Sequence, residues 1–226
     1  MADRSVLVTG AAGGLGVAVA EAFRADGWRV VAPVRGTDEV SGAVTVTGVD
    51  LADPTAVAGV ASVAAAEAGA PLRAVVNLVG GYGGGALVHE LPLADFERQF
   101  ELNVRPTYLV IQAALPHLLA AGGGSIVCVS SRAAVAPFAG ASGYVAAKAA
   151  VIALAQAVAV EYRDAGVRCN TVLPSIIDTP GNRAAQPSAD HSRWVPPAEI
   201  ARVVRFLAGD ESAPTSGASI PVYGRA

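Results

Sequence analysis

Short runs of β-branched residues alternate with longer alanine-rich segments along nearly the whole chain of 226 residues. Several short runs, such as Val75 to Val79 and Ile126 to Val129, are almost or wholly apolar, which is typical of strands covered on both faces. Alternating strands and helices imply right-handed crossover connections and a parallel sheet. The alternation therefore predicts an α/β fold, a doubly wound parallel sheet of about seven strands with helices on both faces.

The position of each element follows from the same periodicity. The predicted strands are Ser5–Thr9, Arg29–Val34, Ala43–Val49, Arg73–Val79, Ser125–Ser130, Val167–Leu173 and Ser219–Tyr223. The predicted helices cover 14–26, 54–68, 93–120, 143–164 and 197–208. No internal repeat and no low-complexity linker divides the chain, so residues 1–226 are expected to form a single domain.

Two segments interrupt the alternation of strands and helices. Gly80 to Gly85 follows the fourth strand, and the proline-containing stretch 178–197, with no evident helix or strand pattern, follows the sixth. Ligands of open parallel sheets bind beyond the carboxyl ends of the strands, where both segments begin. We expect 178–197 to form a loop or lid on the substrate side; the alternative is a disordered connection.

Composition excludes several classes of protein. With 53% hydrophobic and 15% charged residues the chain is not disordered, and a net charge of −3 with no basic run predicts no nucleic-acid partner. The longest apolar stretch, Ala149 to Val160, is shorter than the ~20 residues that span a bilayer. The amino terminus also lacks a secretory pattern, so we expect a cytoplasmic protein without a membrane partner.

The cysteines and histidines do not form a recognisable site. Cys128 and Cys169 lie in apolar runs and are expected to be core thiols rather than a disulfide. His89, His117 and His191 lack metal-ligand spacing with one another or with the cysteines. No metal site is predicted; His191 lies in the expected lid, where contact with a substrate is the alternative to a solvent-exposed role.

A glycine-rich turn joins the first strand to the first helix. Glycines there let the backbone turn sharply and approach a pyrophosphate, while the following helix presents free N–H groups. Packing turns also use glycine, but the position after the first strand of an α/β series favours a dinucleotide site. The candidate cofactor-binding residues in this turn are Thr9, Gly10, Gly14, Leu15 and Gly16.

The end of the second strand is where NAD and NADP would be distinguished. An acidic residue there would bind the ribose hydroxyls of NAD, but the chain has Val34 followed by Arg35, and a guanidinium can pair with a 2′-phosphate. This favours NADP(H) over NAD(H); the alternative is a surface arginine without a ligand. Asp50, followed by Leu51, ends the third strand, where its carboxylate is expected to accept a hydrogen bond from the adenine amino group unless it is a simple turn residue.

The candidate catalytic residues lie on the fifth strand and its neighbouring helices. Tyr144 and Lys148 share one helix face, and a nearby ammonium is expected to lower the tyrosine pKa so that the phenol exchanges protons near neutral pH. Ser131 ends the fifth strand and is placed to polarise the same carbonyl oxygen. Asn103, in the preceding helix, is expected to hold a water that relays protons to the lysine.

These motifs together resemble the short-chain dehydrogenase/reductase family over nearly the whole chain. The pattern Thr-Gly-x-x-x-Gly-x-Gly occurs at residues 9–16, and Asn103, Ser131, Tyr144 and Lys148 match the family's catalytic tetrad in order. The resemblance implies a Rossmann-type fold and hydride transfer between C4 of a nicotinamide and a ketone or secondary alcohol, of the 3-oxoacyl-thioester or small-ketone class. Tyr144 would act as general acid/base, and Lys148 would also bind the nicotinamide ribose.

The resemblance also assigns residues beside the nicotinamide. The segment Pro174 to Thr179 would hold the carboxamide through Pro174, the Ile177 backbone and the Thr179 hydroxyl. Asn77 and Gly80 match the ends of the family's Asn-Asn-Ala-Gly motif, which here is Asn77-Leu-Val-Gly80. Pro-Ser replaces the family's Pro-Gly at 174–175, and Gly-Arg replaces a terminal Gly-Gly at 224–225.

A partner subunit is expected because the helix from Val145 to Val160 carries only Lys148 and Gln156 as polar side chains. A helix that is apolar nearly all round is buried on more than one side. Together with the family resemblance, this predicts a homodimer or homotetramer; the alternative is burial by loops of the same chain.

Two other functions compete with a carbonyl reductase. Asp178 to Arg183, followed by Trp194 and Pro196, resembles the tail of dihydropteridine reductases and suggests reduction of a quinonoid pterin. Those enzymes typically carry an acid at the position of Val34 and lack a serine like Ser131. A dinucleotide-sensing protein without turnover is the second alternative, which the complete set of four catalytic residues disfavours.

Overall fold

A computed structural model describes residues 2–225 and shows all seven strands in one parallel sheet. The strands are β1 (Ser5–Thr9), β2 (Arg29–Pro33), β3 (Val44–Val46), β4 (Leu72–Asn77), β5 (Gly124–Val129), β6 (Val167–Pro174) and β7 (Ser219–Val222). Their order across the sheet is β3-β2-β1-β4-β5-β6-β7. This confirms the predicted doubly wound α/β fold, with the change of direction between β1 and β4.

Seven helices accompany the sheet within the described residues. They are α1 (Gly16–Ala25), α2 (Pro54–Ala65), α3 (Leu93–Asn103), α4 (Arg105–Ala120), α5 (Ser142–Glu161), α6 (Pro180–Ala185) and α7 (Pro197–Ala208). One core cluster joins the sheet to α1 and α7, and a second joins it to α2, α4 and α5. Both faces of the sheet are therefore covered, as the apolar strands predict.

Side-chain hydrogen bonds and prolines explain where two of the helices begin. Asp53 accepts a hydrogen bond from the Thr55 N–H at 2.9 Å, and Pro54 occupies the first position of α2. Thr179 caps α6 in the same way, with its hydroxyl 3.2 Å from the Asn182 N–H. Such side-chain caps satisfy N–H groups that have no partner inside the helix.

The structure corrects two predictions about helices. The stretch 93–120 is not one helix, because the chain breaks at Val104 between α3 and α4, next to Pro106, which has no backbone N–H to donate. The segment 178–197 is not free of regular structure, since the Thr179 cap and Pro180 start α6 within it. A parallel bridge between Ile177 and Val195 ties its two ends together.

Strand ends also differ from the prediction. β3 is limited to three residues, and β4 ends at Asn77 rather than Val79, because the glycine-rich segment that follows leaves the sheet. Cys128 and Cys169 are buried free thiols on neighbouring strands. Among the described helices, α5 is long and apolar enough to cross a membrane, a criterion that buried core helices also meet.

Candidate active site

The carboxyl ends of four neighbouring strands bring the candidate residues together. Thr9 ends β1, Asn77 ends β4, Ser131 follows β5, and Pro174 ends β6. Because parallel strands present all their carboxyl ends at one edge, loops separated by more than a hundred residues meet there. The site is thus a direct product of the sheet order.

The glycine-rich turn is shaped by contacts that exclude side chains. Gly10 has φ +70°, in the left-handed region that favours glycine, and a Cβ on Gly16 would overlap the Gly10 carbonyl and Ala11. A Cβ on Gly14 would lie 2.8 Å from Cβ and Cγ2 of Thr179. The turn therefore lies directly against the segment that follows β6, so the two predicted ends of the cofactor site are adjacent.

Thr9 and Asn77 support this turn from beneath. Both side chains are buried, and the Thr9 hydroxyl lies 3.5 Å from Asn77 Oδ1 and 3.3 Å from the Leu78 N–H. The Asn77 amide also donates to Cys128 Sγ at 3.8 Å. These contacts link the ends of β1, β4 and β5, so both side chains hold backbone in place, while their contact with a cofactor stays a prediction.

Beyond the end of β2, Arg35 lies close to Asp50. Arg35 Nη2 is 3.4 Å from Asp50 Oδ1, and the arginine side chain is 85% exposed. Asp50 also accepts from the Ala52 N–H at 3.0 Å, and this bond, with Arg35 and Arg105, holds the pKa of its carboxyl below the usual value. Two guanidinium groups thus accompany one carboxylate at this position, and Arg105 is an addition that the sequence did not suggest. Leu51, the next residue, packs partly buried against the core.

Ser131 and Tyr144 face each other across the site. Ser131 Oγ caps a short 3₁₀ turn by accepting from the Ala133 N–H at 3.1 Å. Tyr144 lies in the first turn of α5, and its phenol interacts with the Ser131 hydroxyl. The two hydroxyls are placed to contact one carbonyl oxygen.

The expectation that Lys148 lowers the Tyr144 pKa is wrong for this arrangement. Burial raises the pKa of Tyr144, the Ser131 hydroxyl opposes that rise, and Tyr82 adds to it. The Lys148 ammonium is 5.9 Å from the centre of the tyrosine ring and donates instead to the Val129 carbonyl at 3.1 Å. The tyrosine is therefore held in its protonated form.

Lys148 is buried, with 5% of its surface exposed. Burial lowers its pKa to about 8, against a small opposing effect of Cys128. Its backbone carbonyl accepts from the Ser130 hydroxyl at 2.8 Å, so β5 holds the lysine at both its side chain and its backbone. A cation in this position needs a polar partner, since an unpaired buried charge is costly.

Asn103 fastens the glycine segment after β4 to the end of α3. Its Oδ1 accepts from the Gly81 N–H at 3.1 Å, and its Nδ2 donates to the carbonyls of Gly81 at 3.0 Å and Gln99 at 2.9 Å. A Cβ on Gly80 would lie 2.6 Å from Asn103 Oδ1 and 2.8 Å from Lys148 Nζ. Asn103 and Lys148 therefore both lie against Gly80, while the water relay expected of Asn103 stays a prediction.

The segment after β6 uses its polar groups largely within itself. The Ile177 carbonyl accepts from the Thr179 N–H at 2.9 Å and from Asn182 Nδ2 at 2.8 Å. The Thr179 hydroxyl caps α6. Thr179 lies beside the glycine-rich turn, against Gly14, but in this arrangement its hydroxyl already accepts a hydrogen bond.

Sequence reasoning missed one aromatic residue at the site, Tyr82. The Tyr82 ring packs edge-on against Tyr144 with ring centres 5.1 Å apart, and it lies 6.3 Å from the Phe138 ring. Tyr82 is the only residue with a side chain between Gly80 and Gly85. That isolation was the available signal, because one aromatic group among glycines is exposed rather than packed.

The site residues fit a nicotinamide dinucleotide. Gly10, Gly14 and Gly16 leave the backbone open beside the amino terminus of α1, where free N–H groups suit a pyrophosphate. Gly80 leaves room beside Lys148 Nζ that any larger residue would fill. Within residues 2–225 there is no group of three His, Cys, Asp or Glu side chains able to hold a metal ion.

The chain is similar to known proteins over nearly its whole length. The family model described as short chain dehydrogenase matches residues 4–190. The chain is 32% identical to 2-(R)-hydroxypropyl-CoM dehydrogenase of Xanthobacter autotrophicus, over 98% of each chain. It is 35% identical to cis-4-hydroxycyclohexanecarboxylate dehydrogenase of Sinomonas cyclohexanicum, over 99% of this chain and 96% of the relative. It is also 32% identical to the 3-oxoacyl-[acyl-carrier-protein] reductase MabA of Mycobacterium bovis, over 98% and 92%.

Solved structures agree with this similarity. A short-chain dehydrogenase/reductase from Mycobacterium ulcerans superposes with a TM-score of 0.91 at 27% identity, covering 100% of this chain and 90% of that one. ElxO with NADP bound superposes with a TM-score of 0.89 at 25% identity, covering 98% of both. The protein therefore belongs to the short-chain dehydrogenase/reductase family of oxidoreductases, which act on alcohol and carbonyl groups.

Proposed function

We propose that the protein is an NADP(H)-dependent carbonyl reductase or alcohol dehydrogenase acting on a ketone or secondary alcohol. The observation that carries the proposal is the meeting of Ser131, Tyr144 and Lys148 beside Gly80, at the carboxyl edge of the sheet that also carries the glycine-rich turn. The hydroxyls of Ser131 and Tyr144, next to residues that can hold a dinucleotide, suit transfer of a proton to a carbonyl oxygen.

The chain's own residues divide the work of the reaction. When bound, NADPH would supply the hydride for the carbonyl carbon. Tyr144 donates its phenolic proton to the carbonyl oxygen, and Ser131 donates a hydrogen bond to the same oxygen as negative charge develops there. Because its raised pKa keeps Tyr144 protonated, the tyrosine is ready to act as the acid in the reductive direction.

Lys148 prepares the site rather than transferring the proton itself. Its ammonium is held by the Val129 carbonyl and is placed to bind the ribose hydroxyls of the nicotinamide half. Asn103 fixes Gly81 and with it the loop that borders the lysine. These contacts keep the cofactor half of the site in one geometry, which is worth a large part of the rate in reactions between two bound molecules.

The preference for NADP(H) rests on charge at the end of β2. Arg35 and Arg105 outnumber Asp50, and the NADP-bound structure of ElxO belongs to a protein of the same fold. Asp38 and Glu39, both exposed in the same loop, are the groups that would oppose a 2′-phosphate. The preference for NADP(H) therefore requires that an arginine, and not Asp38 or Glu39, faces the ribose.

Thermal melting with each cofactor tests this preference. A ligand at a hundred times its dissociation constant adds ~2.7 kcal/mol to the free energy of unfolding. We expect NADPH to raise the melting temperature more than NADH, and Arg35→Leu to remove the difference. A larger shift with NADH would mean that Asp38 or Glu39 faces the ribose instead. No shift with either cofactor would contradict the glycine-turn assignment itself.

Turnover tests the reaction class. NADPH oxidation with a ketone panel that includes a 3-oxoacyl thioester is expected, in line with the activity named for MabA. The relatives described above are dehydrogenases and reductases of alcohols and carbonyl compounds and give no support to the pterin alternative. A sensing protein without turnover would bind NADPH and oxidise none of the panel.

We further propose that the protein acts in the cytoplasm as a homodimer or homotetramer. The outer face of α5 exposes Ala153, Ala157 and Val160, the last with 65% of its surface exposed. Small side chains let two helices approach closely, and burial of this stripe would remove apolar surface from water.

A further inference from the structure

Tyr82 occupies an unusual position for a large aromatic side chain. It is 62% exposed, yet its ring makes an edge-on contact with the Tyr144 ring and a tilted one with Phe138. Phe138 is itself 53% exposed. Two exposed aromatic rings beside the proton-donating tyrosine form a surface on which an apolar group can pack.

The loop that carries Tyr82 depends on glycine at several points. A Cβ on Gly84 would lie 2.5 Å from the Tyr82 hydroxyl and 2.6 Å from the Gly140 carbonyl, which also accepts the Gly85 N–H at 2.7 Å. The Tyr82 loop is thereby joined to the loop that carries Phe138. The two rings are held opposite each other by backbone contacts and not by chance packing of side chains.

One buried side chain of α3 lies against this loop. Gln99 is 6% exposed, and its Oε1 is buried without a hydrogen-bond partner among the described residues. A Cβ on Gly83, the neighbour of Tyr82, would lie 2.5 Å from the Gln99 amide nitrogen. Gln99 therefore packs directly against the backbone beside Tyr82, which only glycine permits at this distance.

An apolar recess adjoins Phe138, the ring that packs against Tyr82, and runs along the amino-terminal end of α5. It has a volume of about 350 Å³, enough for a six-membered ring. Its lining includes Leu87, Val88, Phe138 and Val145, and none of its lining residues is charged. A substrate bearing a carboxylate or phosphate would find no counter-charge in this recess, whereas a neutral ring would exchange water for apolar contacts.

From this geometry we infer that Tyr82 is a specificity-determining residue that, with Phe138, clamps the ring of a neutral cyclic ketone or alcohol against Tyr144. The inference deepens the proposed carbonyl reductase function and rests on it. Tyr82 acts through its ring, by positioning the carbonyl oxygen at the Tyr144 phenol, and it exchanges no proton itself.

Steady-state kinetics with two neutral ketones tests the clamp. Purified wild-type enzyme, Tyr82→Ala and Tyr82→Phe are compared with NADPH and either cyclohexanone or 2-butanone. We expect Tyr82→Ala to raise KM for cyclohexanone about tenfold with kcat within about threefold, because a contact shared by ground state and transition state has been removed. For 2-butanone we expect a smaller loss, so that the ratio of kcat/KM for cyclohexanone to kcat/KM for 2-butanone falls about fivefold.

Two further variants separate a clamp from a general loss of structure. Tyr82→Phe keeps the ring and is expected to retain the wild-type preference for cyclohexanone. Phe206→Ala, which truncates an exposed aromatic side chain on α7 away from this loop, should alter neither ketone. Both should melt within about 2 °C of wild type.

Different failures have different meanings. Turnover of both ketones with equal losses in Tyr82→Ala would overturn the clamp and leave the reductase function standing. A Tyr82→Phe variant as impaired as Tyr82→Ala would also overturn it, since the hydroxyl rather than the ring would then matter. NADPH binding without oxidation by any ketone would overturn the proposed function, and the clamp with it.

Discussion

Tyr144 is the residue on which the proposed chemistry depends most directly. We expect Tyr144→Phe to lower kcat at least a hundredfold, because the ring keeps its packing and only the proton donor is lost. The melting shift with NADPH should persist, which separates chemistry from binding. Retention of more than a tenth of the wild-type kcat would correspond to a loss under ~1.4 kcal/mol and would contradict the acid role.

Burial of Lys148 in the folded protein disfavours its positive charge. Its pKa falls to about 8 from an ordinary value of 10.5, so below pH 8 the folded protein pays a desolvation cost that the unfolded chain does not. The shift corresponds to a cost on the order of 3 kcal/mol. We expect Lys148→Met to melt at a higher temperature than wild type at pH 7 while losing turnover.

The pH dependence of the difference in melting temperature between Lys148→Met and wild type identifies its cause as the desolvation of Lys148. Between pH 8 and 10.5 the unfolded chain binds more protons at Lys148 than the folded protein does, so wild-type stability from this group rises with pH. The advantage of Lys148→Met should therefore shrink between pH 7 and pH 9.5 in paired melting curves. A variant that melts lower than wild type at pH 7 would mean that the hydrogen bond to Val129 outweighs desolvation.

Residue identities at the site could be predicted from sequence, but their electrostatic state could not. Ser131, Tyr144 and Lys148 were found because their order and spacing are properties of the chain itself. The direction of the Tyr144 pKa depends on burial, with a further rise from Tyr82, and the position of the Lys148 ammonium depends on the Val129 carbonyl; these contacts come from other elements. No local pattern records those contacts.

At the scale of elements, arginines near the amino ends of strands cap the carboxyl ends of helices. Arg29 donates to the carbonyls of Val63 and Ala64 at the end of α2, each at 3.2 Å. Arg73 donates to the Ala121 carbonyl after α4 at 2.6 Å, and Arg168 donates to the Leu207 carbonyl at 2.9 Å. Helices antiparallel to the strands end at this edge, where their last carbonyls carry partial negative charge.

Arg168 makes the largest set of these contacts. It bonds the carbonyls of Leu207, Gly209, Ser212 and Thr215 and the Ser212 hydroxyl. We expect Arg168→Met to destabilise the protein by ~2–3 kcal/mol, or roughly 5–10 °C in melting temperature, because several carbonyls lose a charged donor.

Arg163 provides the matched control, since it lines the same edge and its side chain makes no hydrogen bond or ion pair with the other described residues. Arg163→Met should melt within about 1 °C of wild type. Specific activity per folded molecule should be unchanged in both variants, because the site lies at the opposite edge. Equal destabilisation by the two variants would contradict the capping role of Arg168.

The strands and helices were easier to predict than the connections between them. Strand and helix periods are repeated many times within each element, so β1, β5 and α7 could be placed to within a residue or two. The break at Val104 and the short helix α6 depend on single prolines and a single cap, which a periodic pattern does not register. The contact of Tyr82 with Phe138 likewise comes from two loops more than fifty residues apart.

For the whole molecule, the apolar outer face of α5 predicts self-association. Light scattering of the purified protein should give a mass of two or four times 22.6 kDa. Ala157→Arg places a charge on that face and should yield monomers, whereas Ala58→Arg on the exposed side of α2 should leave the mass unchanged. A monomeric wild-type protein at micromolar concentration would contradict the proposed interface.

The separation of the two sheet edges has a consequence for how such a protein can change. The arginine caps lie at one edge, and the Tyr82 loop, Phe138 and the segment after β6 lie at the other. Substitutions in the second group alter which molecules are accepted without disturbing the first. The fold can thus acquire new selectivity by exchange of short loops, and grafting residues 80–88 alone is a practical starting point for redirecting the enzyme.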